Sequence, residues 1–336
     1  MLSKGFKRIK NEIRGNLLLR GVLVLLPFAC LFGLTGNYSW MQISVVSMST
    51  LIVEERLKLT VPGVLLHGLG IIILFNVLFL TQFQPFIFVI VCTMSATAII
   101  WVTTQGEQLR TLGNWTFIPA IILSIELASE SKHGLLEESK LIFPYLIAAL
   151  LPTLCISLYE QIKMIKRESR FNLLQLSSLS DFGEKKNNVE AMLAMALGII
   201  VSACFVEYLP MENGQWMIWG VASVITGHKD SSTKKFKERL LGVSIGVPLG
   251  IVFGGYVIPS TPFDLIVVTV CLFLTLVAFR RYVIAYTCRC FLVATAVMLL
   301  THSKTIAFER LSHVIAGGVI GLTAIASSRF LLKQRS

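Results

Sequence analysis

Arg289 is the residue in this chain with the clearest capacity for chemistry. It interrupts an otherwise apolar run, YVIAYTCRCFLVATAVMLL, over residues 282–300. A charge near the centre of a membrane helix costs about 3 kcal/mol or more, so such a residue faces a cavity or a partner. A guanidinium offers planar, two-pronged recognition of a carboxylate. Tyr282, Tyr286 and Thr287 lie within two helical turns of it, and an arginine beside aromatic rings suits an aromatic carboxylate. The plainer use of Arg289 is to snorkel towards the cytoplasmic end of its span or to bind a carbonyl.

Other residues invite the same double reading. His67 sits inside VPGVLLHGLGIII, where a titratable ring serves either proton coupling or a hydrogen bond between helices. No Asp or Glu is placed at mid-span, which leaves a proton path without an obvious carboxylate. Trp216 and Trp219, three apart on one helical face, stack on a substrate or join Trp40 and Trp115 in an interfacial belt. Gly242, Gly246, Gly250 and Gly254 repeat at four-residue intervals and share one helix face. In lipid such a face is a packing seam that admits a second helix closely; the lesser alternative is a backbone-lined path. All seven cysteines fall inside apolar segments, and Cys288 and Cys290 flank Arg289 without a metal-site spacing. No metal or cofactor is expected. Enzyme signatures (GxxxxGK[ST], HExxH, GxSxG) are absent, so the chain is read as no enzyme, and active transport would draw on an ion gradient.

The elements that must position these residues are membrane helices. The chain has 336 residues, 54% hydrophobic and only 15% charged, whereas a soluble domain carries about 25% charge. The net charge of +11 is explained by basic loops between apolar spans, not by nucleic acid. Spans are expected near 17–35, 40–54, 61–81, 85–103, 109–127, 141–158, 190–209, 215–227, 240–258, 264–279, 282–301 and 309–329. The second and eighth are the weakest, and burial against protein would accommodate them. With the N-terminus inside, 24 of the 30 Lys and Arg fall on the inner side and four (Lys132, Lys140, Lys304, Arg310) outside. That asymmetry supports twelve spans with both termini cytoplasmic.

The halves echo each other. Trp40-Met41 recurs as Trp216-Met217, and Pro85-Phe86 as Pro262-Phe263. The expected fold is an all-α integral membrane protein of about twelve transmembrane helices in two parallel six-helix repeats. Its divisions are a basic segment 1–16, a first half 17–158, a cytoplasmic linker 159–189, a second half 190–330 and a tail 331–336. The linker (Lys163, Lys166, Arg167, Arg170 among Ile162, Ile165, Leu173, Leu174) and the N-terminus (Leu2, Phe6, Ile9, Ile13) either lie as amphipathic helices on the bilayer or anchor topology by charge alone.

An ordered set of features in the second half resembles the fusaric acid resistance family of membrane proteins, whose better-known members are aromatic acid exporters of bacterial inner membranes. Trp216 and Trp219 lead to a basic loop with Thr233 and Lys237-Glu238-Arg239. The glycine-rich span follows, then Arg281-Tyr282, and last Arg310 with Gly317, Gly318 and Gly321. The first half matches only as a degenerate copy, and the linker and tail are shorter than the cytoplasmic domains of many members. The resemblance implies an inner-membrane secondary transporter exporting organic, aromatic acids on proton motive force. It implies an organic anion as substrate, a periplasmic adaptor or a second copy of the chain as partners, and a structural or gating role for Arg310 and His313 at the pore mouth. A passive organic-anion channel and a non-transporting scaffold of an envelope complex are the alternatives.

Overall fold

The computed structural model describes residues 12–131, 134–165, 175–179, 181–184, 188–209, 211, 213–225 and 229–334. They form helices α1 (Gly15–Thr35), α2 (Ser39–Leu57), α3 (Val61–Thr81), α4 (Pro85–Thr103), α5 (Leu109–Glu130), α6 (Leu135–Ala148), α7 (Leu151–Ile165), α8 (Val189–Tyr208), α9 (Gln215–Val224), α10 (Lys229–Tyr256), α11 (Pro262–Leu274), α12 (Tyr282–Thr301) and α13 (Lys304–Lys333). Among the described residues nine segments are long and apolar enough to cross a membrane, with α6 and α7 counted as one, Leu135–Lys163. The protein is a multi-pass helical membrane protein.

The two weakest expected spans correspond to α2 and α9, and their weakness has a physical cause. Helix α2 is buried along nearly all its length although it carries Gln42, Ser44, Ser47, Ser49, Thr50 and Glu54. Helix α9 is ten residues long and almost wholly buried. Helices packed on all sides by protein need neither the length nor the greasiness of lipid-facing ones.

Two expectations change. The basic run before the glycine span is not a loop: residues 229–239 are the first turns of α10. Lys234, Lys235, Lys237, Glu238 and Arg239 are good helix formers with no Gly or Pro among them, so the helix simply continues past its apolar part. Likewise Arg310 does not open its span, because α13 already begins at Lys304. The N-terminal Leu2, Phe6 and Ile9 lie outside the described residues, and Ile13 is extended, bridged antiparallel to Phe279.

The contacts divide the chain into two compact units, and each draws on both sequence halves. Unit 1 comprises Met1–Met41 and Lys234–Ile315; unit 2 comprises Gln42–Thr233 and Ala316–Ser336.

In unit 1 the N-terminal segment is strapped to the loop that launches α12. The Arg14 N–H donates to the Ala278 carbonyl at 2.8 Å, and the Arg280 N–H to that of Glu12 at 2.9 Å. The Arg281 Nε and Glu12 Oε1 pair at 2.7 Å. Helix α11 starts with Pro262 in its first turn, and its N-cap Thr261 Oγ1 accepts the Asp264 N–H at 3.2 Å. Helices α10 and α12 run parallel, joined by the glycine stripe: a Cβ on Gly246 would stand 2.5 Å from the Thr287 carbonyl oxygen, and one on Gly250 2.3 Å from that of Phe291. Even a methyl group is excluded there, so the two backbones meet directly.

In unit 2 a second close crossing joins α9 to the later turns of α13, where a Cβ on Gly317 would stand 2.4 Å from the Met217 carbonyl oxygen. Of the linker, residues 159–165 continue α7, while residues 175–179 and 181–184 are docked and not helical. The Thr60 N–H donates to the Leu176 carbonyl at 3.1 Å, the Ser178 N–H to that of Lys58 at 3.0 Å and the Gln108 N–H to that of Phe182 at 3.0 Å. The linker residues expected to be amphipathic between Lys166 and Leu174 lie outside the described residues.

Candidate functional site

The site is built on the parallel pair α10 and α12. Four-residue spacing repeats on both: Lys235 and Arg239 on α10 face Tyr282 and Tyr286 on α12. The tyrosine rings stack with centroids 5.6 Å apart and planes 19° from parallel. The Lys235 Nζ lies 5.6 Å from the Tyr282 ring centroid, and the Arg239 Cζ lies 4.6 Å from that of Tyr286. The Arg239 Nη1 also donates to the Tyr282 hydroxyl at 3.4 Å. Each cation over a ring contributes about 0.5–2 kcal/mol, more as water is excluded. The glycine face makes the arrangement possible, because a Cβ on Gly242 would stand 2.7 Å from Cδ1 of Tyr286. Gly254 closes the stripe at its other end against Thr295 and Met298.

Three arginines are buried in this unit. Arg239 and Arg310 are each 2% exposed and Arg289 is 8% exposed. Arg289 and Arg310 are close enough to interact electrostatically with each other and with Tyr286. Arg289 does not reach for the rings. Its Nε donates to the Thr275 hydroxyl at 3.4 Å and its Nη2 to the Thr275 carbonyl at 3.5 Å. Thr275 is the C-cap of α11, where the helix dipole favours a cation. Both bonds are long, and Arg289 has no ion-pair partner among the described residues. The Tyr286 ring is 1% exposed, and its hydroxyl has no hydrogen-bond partner among the described residues. An orphaned buried hydroxyl costs about 1–3 kcal/mol, which a ligand oxygen would recover.

Not every predicted residue comes to this place. His313 is buried on α13, one turn after Arg310. Trp216 and Trp219 stand on α9 in unit 2, the first buried and the second half-buried. His67 is buried in α3, also in unit 2, beside the Trp115 backbone. In the sequence Lys235 and Arg239 belong to a basic run that serves topology, and Arg239 also to the family resemblance, with no sign of a site. Their signal was present in phase: Lys235, Arg239, Gly242 and Gly246 continue one helix face at spacings of four, three and four.

Residues 189–324, from α8 to most of α13, match the sequence model of the fusaric acid resistance protein-like family. Over these residues the chain is similar to that family. All of Arg239, Tyr282, Tyr286, Arg289 and Arg310 fall inside the fusaric acid resistance protein-like region. This similarity points to a membrane transport or resistance protein. No curated protein and no solved structure matches the chain.

Proposed function

We propose that the protein is an inner-membrane secondary transporter that exports organic, principally aromatic, carboxylates, driven by proton motive force. The observation that carries this reading is three buried arginines in one unit, Arg239 laid over the Tyr286 ring and Arg289 and Arg310 within electrostatic range of Tyr286. Arg289, with no ion-pair partner among the described residues, is repelled by Arg310, and an anion entering beside it relieves that repulsion. The flat stacked rings match an aromatic body, while the guanidinium groups and the orphaned Tyr286 hydroxyl match its carboxylate.

The rest of the layout follows from the sequence. Two parallel repeats are supported by the shared character of α2 and α9: both follow the repeated tryptophan-methionine position and both are buried. The asymmetry of basic residues supports cytoplasmic termini, which puts the start of α10 inside and gives an anion its first contact at Lys235. A reporter fused at Lys234 reads as cytoplasmic on this account; an external reading overturns the topology.

The test uses the full chain in proteoliposomes with fusaric acid as probe. Wild type exchanges internal for external fusaric acid, and Arg239→Gln or Arg289→Gln lowers that exchange at least about tenfold, or about 1.4 kcal/mol. Exchange at the wild-type rate in both variants removes the site.

A further inference from the structure

Unit 2 contains a polar seam that the anion site does not use. Helices α2 and α7 run parallel, and their facing positions are hydroxyls. The Thr50 Oγ1 and Thr153 Oγ1 lie 3.0 Å apart, and the Thr153 hydroxyl donates to the Ser47 carbonyl at 3.1 Å. The Ser47 hydroxyl in turn donates to the carbonyl of Ala149, at the break between α6 and α7. Continuing each helix by its own spacing brings Glu54 on α2 level with Ser157 on α7, with Gln161 one turn on. Ser47, Thr50, Glu54, Thr153, Ser157 and Gln161 are all buried. The Gln161 Nε2 has no hydrogen-bond partner among the described residues.

The other end of α2 carries a second polar group. The Gln42 Nε2 donates to Glu126 Oε1 at 3.3 Å and to Glu130 Oε2 at 3.1 Å, so one amide holds two carboxylates from α5. Gln42 and Glu54 are twelve residues apart, about 18 Å along the helix. Buried polar groups at this density disfavour a membrane interior unless they serve a purpose. Their types are those that pass protons: carboxylates at the ends and hydroxyls between.

We propose that the α2–α7 seam is the proton path of the transporter, running from Ser47 past Thr50 and Thr153 to Glu54, with Glu126 and Glu130, held by Gln42 on another face of α2, as the carboxylates at the other end of that helix. A proton bound by a carboxylate at one end is released at the other. The hydroxyls and intervening waters accept one proton as they give up another, and no group is changed at the end of a cycle. Glu126 faces Gln42 of α2 and, on its own helix, Glu130. Next to Glu54 on α2 are Glu55, paired with Lys58 at 3.1 Å, and Arg56; helix spacing puts Ser157 and Gln161 of α7 level with it and one turn on. The proposal rests on the reading of the chain as a gradient-driven transporter.

Its test takes two readouts from the same proteoliposomes: exchange of labelled fusaric acid without a pH gradient, and proton movement reported by an internal pH dye. Glu54→Gln and Thr153→Val are expected to keep exchange within about twofold of wild type and to lower proton movement at least about tenfold. Proton movement at the wild-type rate in both variants overturns the path. Absence of exchange in wild type overturns the anion-transport reading instead. The path is then read alone, under an imposed membrane potential: a smaller proton conductance in both variants supports it, and equal conductance overturns it.

Discussion

Two pairs of parallel helices hold the two units, and they are built from opposite materials. Helices α10 and α12 meet through glycine, with backbone against backbone and cations laid over rings at one end. Helices α2 and α7 meet through hydroxyls, with side chains bonding across the seam. A glycine seam has no tolerance for added volume, because the obstacle to a Cβ is main chain. A hydroxyl seam tolerates isosteric change and loses only hydrogen bonds. The first pair is therefore a rigid mount for a binding site, and the second is a polar contact whose chemistry can be altered while its shape is kept.

The largest expected effect breaks the first pair. Gly246→Leu places atoms where the Thr287 carbonyl already stands, and no folded protein should be recovered from membranes in monodisperse form; normal yield would show that the seam is not packed. Next comes Arg239→Ala, which removes the cation over Tyr286. It should weaken fusaric acid binding at least about tenfold, or about 1.4 kcal/mol, with yield preserved, while an unchanged affinity would confine Arg239 to packing. Thr153→Val in the second pair should fold and lose about 1–3 kcal/mol of stability, the value of the buried bonds it removes. Loss of all folded protein would make the two seams alike. The smallest effect belongs to Arg281→Ala. Its ion pair with Glu12 involves an arginine side chain 74% exposed, and such pairs contribute at most about 1 kcal/mol. A marked fall in thermal stability would mean that the N-terminal strap matters far more than its ion pair.

The contrast also marks what sequence could reveal. Glycines at fixed intervals in an apolar run can be read directly, because few other reasons put them there. Arg289 stands out equally, since a lone charge in YVIAYTCRCFLVATAVMLL must find a cavity, a carbonyl or the membrane surface. Its partner at the α11 C-cap could not be read, because Thr275 is an ordinary residue fourteen positions away. Arg239 was hidden by its surroundings: among Lys234, Lys235 and Lys237 it looks like one more topological charge. Only the phase it shares with Gly242 and Gly246 marks it as inward-facing. Helix α2 is expected near 40–54 but only weakly, for the opposite reason. Its serines and threonines weaken the hydrophobic signal that defines a span, and burial by protein is visible only in three dimensions.

The central claim is that the buried arginines and stacked tyrosines of unit 1 receive a carboxylate, and Tyr286→Phe tests it most directly. The substitution keeps the ring, its stack on Tyr282 and the Arg239 contact, and deletes only a hydroxyl that has no partner among the described residues. The measurement is the thermal stability of the purified full-length chain with and without fusaric acid. The account predicts that ligand-free Tyr286→Phe is as stable as wild type or more so, and that the stabilisation fusaric acid gives wild type is reduced or lost. Ligand-free destabilisation together with undiminished stabilisation by fusaric acid would contradict it, and would leave Tyr286 as a packing residue alone.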